Sequence, residues 1–305
     1  MYDVMYALLS RFIPYDRISV NEPMAKHTSF KIGGSADVYV QPAYKDELVQ
    51  IIDECRSNNA PFVILGNGSN VLIPDEGLRK VVIQLYPHFS ECWIDESGKY
   101  IFAEAGAPLS TLAYLACQEG MAGLEFASGI PGTVGGAICM NAGAYDHDMA
   151  EVCVLVDLLM PNGELVSLLG EQMNFGYRSS ILQQNGGIVL CAGFALSPGD
   201  KHEIERDMAE LNRRRRETQP LEYPSVGSTF KRPQGHFTGK LISDCGLKGF
   251  SIGGAQVSEK HAGFVINTGD ATAKDVISLI EHIQETVKDR YDVILEPEVK
   301  ILCNS

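Results

Sequence analysis

The stretch "ILGNGSNVLIPDEG", residues 64–77, decides how the rest of the chain is read. It continues the apolar run "APFVIL", a buried-strand pattern, and passes into Gly66, Asn67, Gly68, Ser69 and Asn70. Small residues in such a loop let backbone N–H groups approach a phosphate without side-chain interference. The segment begins like the dinucleotide fingerprint G-x-G-x-x-G. Its sixth position, however, is Val71, and Pro74 and Gly77 stand where that motif runs into a helix. No helix is expected to follow the loop, which argues against a Rossmann site. No G-x-x-x-x-G-K-[ST] occurs either, and "GHFTGK" at 235–240 has the wrong spacing for a P-loop.

Upstream, "PAYKDELVQIIDECRSNN" places apolar residues at 48, 51, 52 and 55, a helical stripe that leads into the strand. Downstream, "KVVIQL", "KYIFAEAG" and "VCVLVDLLMPNGELVSL" read as strands, the last as two runs joined at the Asn162-Gly163 turn. Between them "PLSTLAYLACQEG" is a helix bounded by Pro108 and Gly120. A second glycine-rich loop, "GIPGTVGGAICMNAGA" at 129–144, joins the first, and two such loops favour a ligand cradle over a pair of tight turns. "DKHEIERDMAELNRRRRET" is a helix whose last turn carries Arg213 to Arg216, for most of which a solvated helix end is the plainer role. "GKLISDCGLKGFSIGGAQVSEKHAGFVIN" is strand-like and glycine-punctuated. "TAKDVISLIEHIQETVKDRY" is an amphipathic helix with a Val276, Ile280, Ile283, Val287 stripe and Thr272 and Asp275 at capping-box spacing. "DVILEPEVKIL" closes the chain as a strand-like run.

With 305 residues, 45% of them hydrophobic, the chain can bury a sizeable core, and its length suits two or three domains. The net charge of −14 argues against a nucleic-acid partner, so anions must be bound locally. "MYDVMYALLSRFIP" has Asp3 and no basic lead, and no apolar stretch reaches a membrane-spanning length, so a cytoplasmic protein with no membrane partner is expected. Eight cysteines, the closest pair fourteen residues apart, form no Cys-x-x-Cys. They read as reduced, mostly buried thiols. Seven histidines lack metal-ligand spacing, and no metal is expected.

"HTSFKIGGSADVYVQP", "ILGNGSNVLI", "GIPGTVGGAICMNAGAY", "FGYRSS", "PSVGSTFKRP", "GGAQVSEKHAGFVIN" and "LEPEVKIL" occur in that order. Together they closely resemble the UDP-N-acetylenolpyruvoylglucosamine reductase family of bacterial cell-wall synthesis, over nearly the whole chain beyond its first twenty residues. The resemblance implies an α+β fold of the vanillyl-alcohol-oxidase type (PCMH-type), in which two lobes hold FAD non-covalently and a third domain binds the UDP-sugar. It implies an N-terminal segment at 1–30, an FAD-binding region at 31–197 with a lobe boundary near 86, and a substrate domain at 201–296. The strand 297–305 would return to the FAD region.

The resemblance also implies site residues. Thr28, Gly33 and Gly34 would stand at the flavin entrance. Gly66, Asn67, Gly68, Ser69, Asn70 and Val71 would cradle the pyrophosphate. Ser128, Gly129, Ile130, Pro131, Gly132 and Thr133, with Gly135, Gly136, Asn141 and Gly143, would line the isoalloxazine and ribityl side. Tyr177, Arg216, Gln219, Lys231, Arg232 and His261 match substrate-binding positions.

The family reaction reduces an enolpyruvyl ether to a lactyl ether, with NADPH as co-substrate and UDP-N-acetylglucosamine enolpyruvate as acceptor. Arg178, Ser228 and Glu298 match the three catalytic positions. A planar, always-charged Arg178 suits the substrate carboxylate. A protonated Glu298, its pKa raised by burial and negative neighbours, suits hydrogen bonding to the same group. Ser228 is expected to donate a proton rather than attack, because no G-x-S-x-G surrounds it. Lys231 and Arg232 are the nearest cations in sequence. The chain has no room for the tyrosine-bearing loop of the longer family branch, and a monomer is expected. An FAD-dependent oxidase of the same fold and a flavin-free sugar-nucleotide binding protein are the competing readings.

Overall fold

The computed structural model describes residues 2–304. The chain forms two compact units. The first comprises Met1–Val20, Val38–Asn67 and Lys80–Arg215, and the second Asn21–Asp37, Gly68–Arg79 and Arg216–Ser305.

In the first unit a five-stranded antiparallel sheet runs in the order Leu165–Leu169, Cys153–Leu159, Ile188–Ala195, Tyr100–Glu104, Cys92–Ile94. The Asn162-Gly163 turn joins the first two of these strands as expected, with Gly163 at φ +90° and Leu159 paired to Leu165. Strand Phe62–Leu65 pairs in parallel with residues 81–84, Phe62 opposite Val81 and Leu65 opposite Gln84. The Lys45–Ser57 helix precedes Phe62–Leu65 and buries Leu48, Ile51, Ile52 and Cys55, the stripe read from the sequence. Helix Leu109–Gln118 starts after Pro108 and ends before Gly120, which sits at φ +64°. One apolar core joins these elements, from Met5 and Leu9 through Ile83, Leu112 and Ile138 to Phe194.

The second unit has its own core, in which Val276, Leu279, Ile280, Ile283 and Val287 of helix Ala273–Tyr291 pack with Val257, Val265 and Leu295. The capping box of that helix is formed: Asp275 N–H donates to the Thr272 hydroxyl at 3.1 Å and Thr272 N–H to the Asp275 carboxylate at 3.0 Å. A three-stranded antiparallel sheet, Ser251–Ile252, Ala255–Val257 and Val265–Asn267, lies in the same unit.

Two sequence expectations are corrected. "GKLISD" is not a strand but part of helix Thr238–Asp244, which buries Thr238, Leu241 and Ile242 at i, i+3, i+4 spacing; Gly246 at φ +78° follows its end. "DVILEPEVKIL" is not one strand. Its residues 296–298 pair with Thr229–Lys231, and only Lys300–Ile301 forms a regular strand, parallel to Val71–Leu72. Pro297 has no N–H to donate and so interrupts a ladder there. All eight thiols are free, but only Cys55, Cys117 and Cys153 are fully buried. The expected start of the substrate domain at 201 and the unit boundary at 215/216 differ by most of helix Lys201–Thr218. Among the described residues no helix is long and apolar enough to cross a membrane.

Candidate active site

The two glycine loops meet in the first unit. A Cβ on Gly66 would stand closer to the Thr133 hydroxyl than the 3.0 Å that real Cβ contacts respect, and Asn67 Nδ2 donates to the Pro131 carbonyl at 3.1 Å. The loop 128–133 is closed on itself: Ile130 N–H donates to Ala127 O at 3.0 Å, Gly132 N–H to Ile130 O at 2.9 Å, and Ser128 Oγ to Glu125 O at 2.8 Å. Gly135 abuts Ala105 so closely that a Cβ would sit 2.9 Å from the alanine Cβ. The Val134–Met140 helix then ends on Asn141 at φ +42°.

Asn141 carries the site onward to the arginine turn. Its Nδ2 donates to the Asp148 carboxylate at 2.9 Å and to Gly176 O at 3.1 Å, and its Oδ1 accepts from Ala150 N–H at 3.0 Å. Arg178, next but one to Gly176, is held at φ +54°. Its Nη2 donates to Gly143 O at 3.2 Å, and its guanidinium lies 5.2 Å from the Tyr177 ring centre. A left-handed arginine is locally strained, and such strain concentrates where a side chain must point in one functional direction. The structure therefore brings Gly66, Asn67, the 128–136 loop, Asn141, Gly143, Tyr177 and Arg178 into one run of direct contacts.

The second unit gathers a different set. Thr28 is buried and its hydroxyl donates to Ile32 O at 3.0 Å. Gly68, at φ +62°, lies against the His27 carbonyl, and Ser29 N–H donates to Gly68 O at 3.1 Å. Gly33 faces Ile73, and Gly34 N–H donates to Pro74 O at 2.9 Å. Asn70 Nδ2 donates to Glu298 O at 3.2 Å, and Lys300 N–H to Asn70 O at 3.0 Å, just before the Val71 strand.

Ser228 is exposed between buried Val226 and Thr229. Glu298 N–H donates to Thr229 O at 2.8 Å and Lys231 N–H to Glu296 O at 2.8 Å, so the segment after Ser228 runs beside the one bearing Glu298. Thr229 N–H donates to Gly263 O, which adds the His261 turn to the group. His261 Nδ1 accepts from Gly263 N–H at 3.2 Å, which leaves Nε2 as the N–H of the neutral ring; burial lowers its pKa and favours that neutral form.

The two cations expected near Ser228 have other contacts. Lys231 pairs with Glu296 at 3.2 Å, and the Arg232 guanidinium lies 3.9 Å above the Phe237 ring. Arg216 is exposed, with its carbonyl taking the Lys260 ammonium at 2.6 Å, whereas Gln219 has a buried Oε1 without a hydrogen-bond partner among the described residues.

Sequence reasoning missed the support beneath Gly66. Gln84 Nε2 donates to Gly66 O at 2.8 Å, while its Oε1 accepts from the buried Tyr39 hydroxyl. Gln84 stands on a strand among Val81, Val82 and Ile83, and a buried amide within an apolar run was the available signal. It also missed Arg215 and Asn212, which face Gly129.

Comparison with known proteins now decides the family. The reductase of Caldanaerobacter subterraneus subsp. tengcongensis, named UDP-N-acetylenolpyruvoylglucosamine reductase, is 51% identical over 302 residues, covering 99% of both chains. The chain belongs to the UDP-N-acetylenolpyruvoylglucosamine reductase family. A Clostridium perfringens member is 47% identical over 99% of this chain and 98% of its own. The family's C-terminal domain model matches residues 219–302, and an FAD binding domain model matches 36–169. The crystal structure of the reductase from Thermus caldophilus superposes with a TM-score of 0.79 at 36% identity, covering 94% of this chain and 98% of that one. A 4-ethylphenol oxidase from Gulosibacter chungangensis, 16% identical, matches 65% of this chain and 43% of its own with a TM-score of 0.50, a likeness of fold alone. The fold is thus the vanillyl-alcohol-oxidase-type FAD-binding fold with the reductase family's C-terminal α+β domain.

The residues present fit FAD. Among the described residues the backbone N–H groups of Asn67, Gly68, Ser69 and Asn70 donate to no protein acceptor, and four successive free donors are the chemistry a diphosphate needs.

Proposed function

We propose that this chain reduces the enolpyruvyl ether of UDP-N-acetylglucosamine to UDP-N-acetylmuramate at the expense of NADPH, a step of peptidoglycan synthesis. One observation carries the reading: identity of about half the residues over the whole length to curated enzymes that bear that reductase name. FAD, held by residues within 31–197, would supply the hydride chemistry between NADPH and the enolpyruvyl group. The substrate then occupies the domain 201–296, and the reaction runs in the cytoplasm on a monomer without nucleic-acid or membrane partners.

The chain's own residues handle charge and proton. Hydride arrival at the terminal carbon leaves an electron pair on the neighbouring carbon, delocalised into its carboxylate. Arg178, anchored by Gly143 and Tyr177, takes that carboxylate with a guanidinium that stays charged throughout. Glu298 in its protonated form donates a hydrogen bond to the same group, and the Ser228 hydroxyl delivers the proton that completes the new C–H bond. The backbone pairing of 229–231 with 296–298 supports treating Ser228 and Glu298 as one constellation. Neutral His261, its Nε2–H free to donate, suits a substrate oxygen better than a carboxylate counter-ion would. Gln219 offers an unpaired amide oxygen for a substrate donor.

The test is mass balance. NADPH oxidation must depend on the enolpyruvyl UDP-sugar and yield one molecule of product two hydrogens heavier per NADPH, without peroxide. Peroxide formed in proportion to NADPH would instead favour the oxidase reading.

A further inference from the structure

Gly176 and Ser179 close the turn that carries Arg178 and leave Tyr177 and Arg178 at its tip. Gly176 N–H donates to Ser179 O at 3.0 Å and Ser179 N–H to Gly176 O at 3.2 Å. Neither bond reaches the Arg178 carbonyl, which accepts from Gln183 Nε2 at 3.1 Å. The same nitrogen donates to Cys139 O at 3.3 Å and meets Met140 Sδ at 3.6 Å. Cys139 lies in the last turn of helix Val134–Met140, where carbonyls lack an intrahelical donor. The buried Ser180 hydroxyl donates to that carbonyl too, at 2.9 Å. A primary amide carries two N–H donors, so Gln183 joins the helix end and the arginine turn at once. Its own place is fixed by the short helix Leu182–Asn185, in which Leu182 is buried, and by Ile181 N–H donating to Met173 O at 2.8 Å.

We propose that Gln183 is a positioning residue for the reduction, holding Arg178 in the left-handed state from which its guanidinium meets the substrate carboxylate. The inference rests on the reading of Arg178 as the carboxylate-binding cation. A non-glycine residue at φ +54° persists only where its surroundings over-determine it. A donor on its carbonyl opposes relaxation to an ordinary φ, which would swing the guanidinium away from Gly143 O. Gln183 is exposed, so its effect is that of one hydrogen bond made in competition with water. That effect falls on one half-reaction, because the charge Arg178 answers develops only when the enolpyruvyl carbon receives its hydride.

The test separates the half-reactions of the holoenzyme by anaerobic stopped flow. Gln183→Met keeps the length and removes both donors. It should slow reoxidation by the enolpyruvyl UDP-sugar roughly threefold to tenfold, the rate equivalent of one hydrogen bond, with reduction by NADPH unchanged. Gln183→Glu, which offers only acceptors at neutral pH, should be slower still, and Gln183→Lys, which restores N–H donors, should recover at least half the loss. Gln184→Met, at the exposed neighbouring position, should match the wild type. In an Arg178→Ala background Gln183→Met should have no further effect. Amide exchange at Gly176 and Ser179 in the apoprotein reads the turn independently of turnover, and should quicken in Gln183→Met but not in Gln184→Met. Wild-type reoxidation in both Gln183→Met and Gln183→Glu, unchanged amide exchange, or the same loss with and without Arg178 overturns the proposal. So does equal slowing of both half-reactions, which would assign Gln183 to general stability. Arg178→Ala with wild-type reoxidation overturns the reading of the arginine itself, a failure distinct from the others.

Discussion

Replacing Gly68 with alanine tests whether the first glycine loop is shaped by backbone constraints for a ligand. Gly68 has φ +62°, and a Cβ there would press on the His27 carbonyl oxygen and lie 2.9 Å from Thr28 Cα, backbone atoms that cannot rotate away. Gly98 provides the control, with φ +70° and nothing within 4 Å of an added Cβ. An alanine in the left-handed region costs roughly 1–2 kcal/mol, offset by about 0.4–1 kcal/mol of unfolded-state entropy. Gly98→Ala should therefore cost about 1 kcal/mol. Gly68→Ala carries the same strain plus an overpacking term of roughly 1–3 kcal/mol, and relief of the clash must displace the N–H groups of residues 67–70. Urea unfolding of the two apoproteins gives the stability difference, and quenching of flavin fluorescence gives FAD affinity. Gly68→Ala should be the less stable by about 1–3 kcal/mol and bind FAD at least about tenfold more weakly, which corresponds to ~1.4 kcal/mol. Equal urea midpoints for the two variants, with wild-type FAD affinity in Gly68→Ala, would refute the reasoning.

Three further outcomes are expected. Ser228→Ala should keep flavin reduction by NADPH while turnover falls by roughly 10²–10⁴; reoxidation by the enolpyruvyl substrate at the wild-type rate would remove Ser228 from the mechanism. Gln84→Leu should cost roughly 1–3 kcal/mol, because it strips the Gly66 carbonyl and the Tyr39 hydroxyl of a buried partner; an unchanged urea midpoint would show that the network supports nothing. His261 has its pKa lowered by burial, so between that value and the free value of about 6.5 the unfolded chain binds more protons. Its contribution to stability is present above about pH 6.5 and lost as pH falls through the folded pKa. His261→Asn should flatten that part of the curve of urea midpoint against pH, and superimposable curves would contradict the assignment.

Much of this was legible before the structure. The Rossmann exclusion follows from Val71, Pro74 and Gly77, and the chain does continue from the loop into the short Val71–Leu72 strand rather than a helix. Periodicity found helices Lys45–Ser57 and Ala273–Tyr291 because each buries one continuous stripe. It failed on Thr238–Asp244, whose seven residues complete too few turns for the pattern to stand out beside flanking glycines. Order along the chain could not reveal that Glu298 lies beside Thr229, since that pairing joins segments about seventy residues apart. Nor could it separate Arg215 from three neighbouring arginines. The inward stripe of 204, 208, 211 and 215 was the usable signal, masked because a cation seldom sits on a buried face.

The central claim is best tested by anaerobic spectroscopy of the purified protein. The account predicts a yellow protein that bleaches on one equivalent of NADPH and regains its colour on addition of the enolpyruvyl UDP-sugar, with oxygen absent. A colourless protein, or colour restored by oxygen and not by the UDP-sugar, would contradict it.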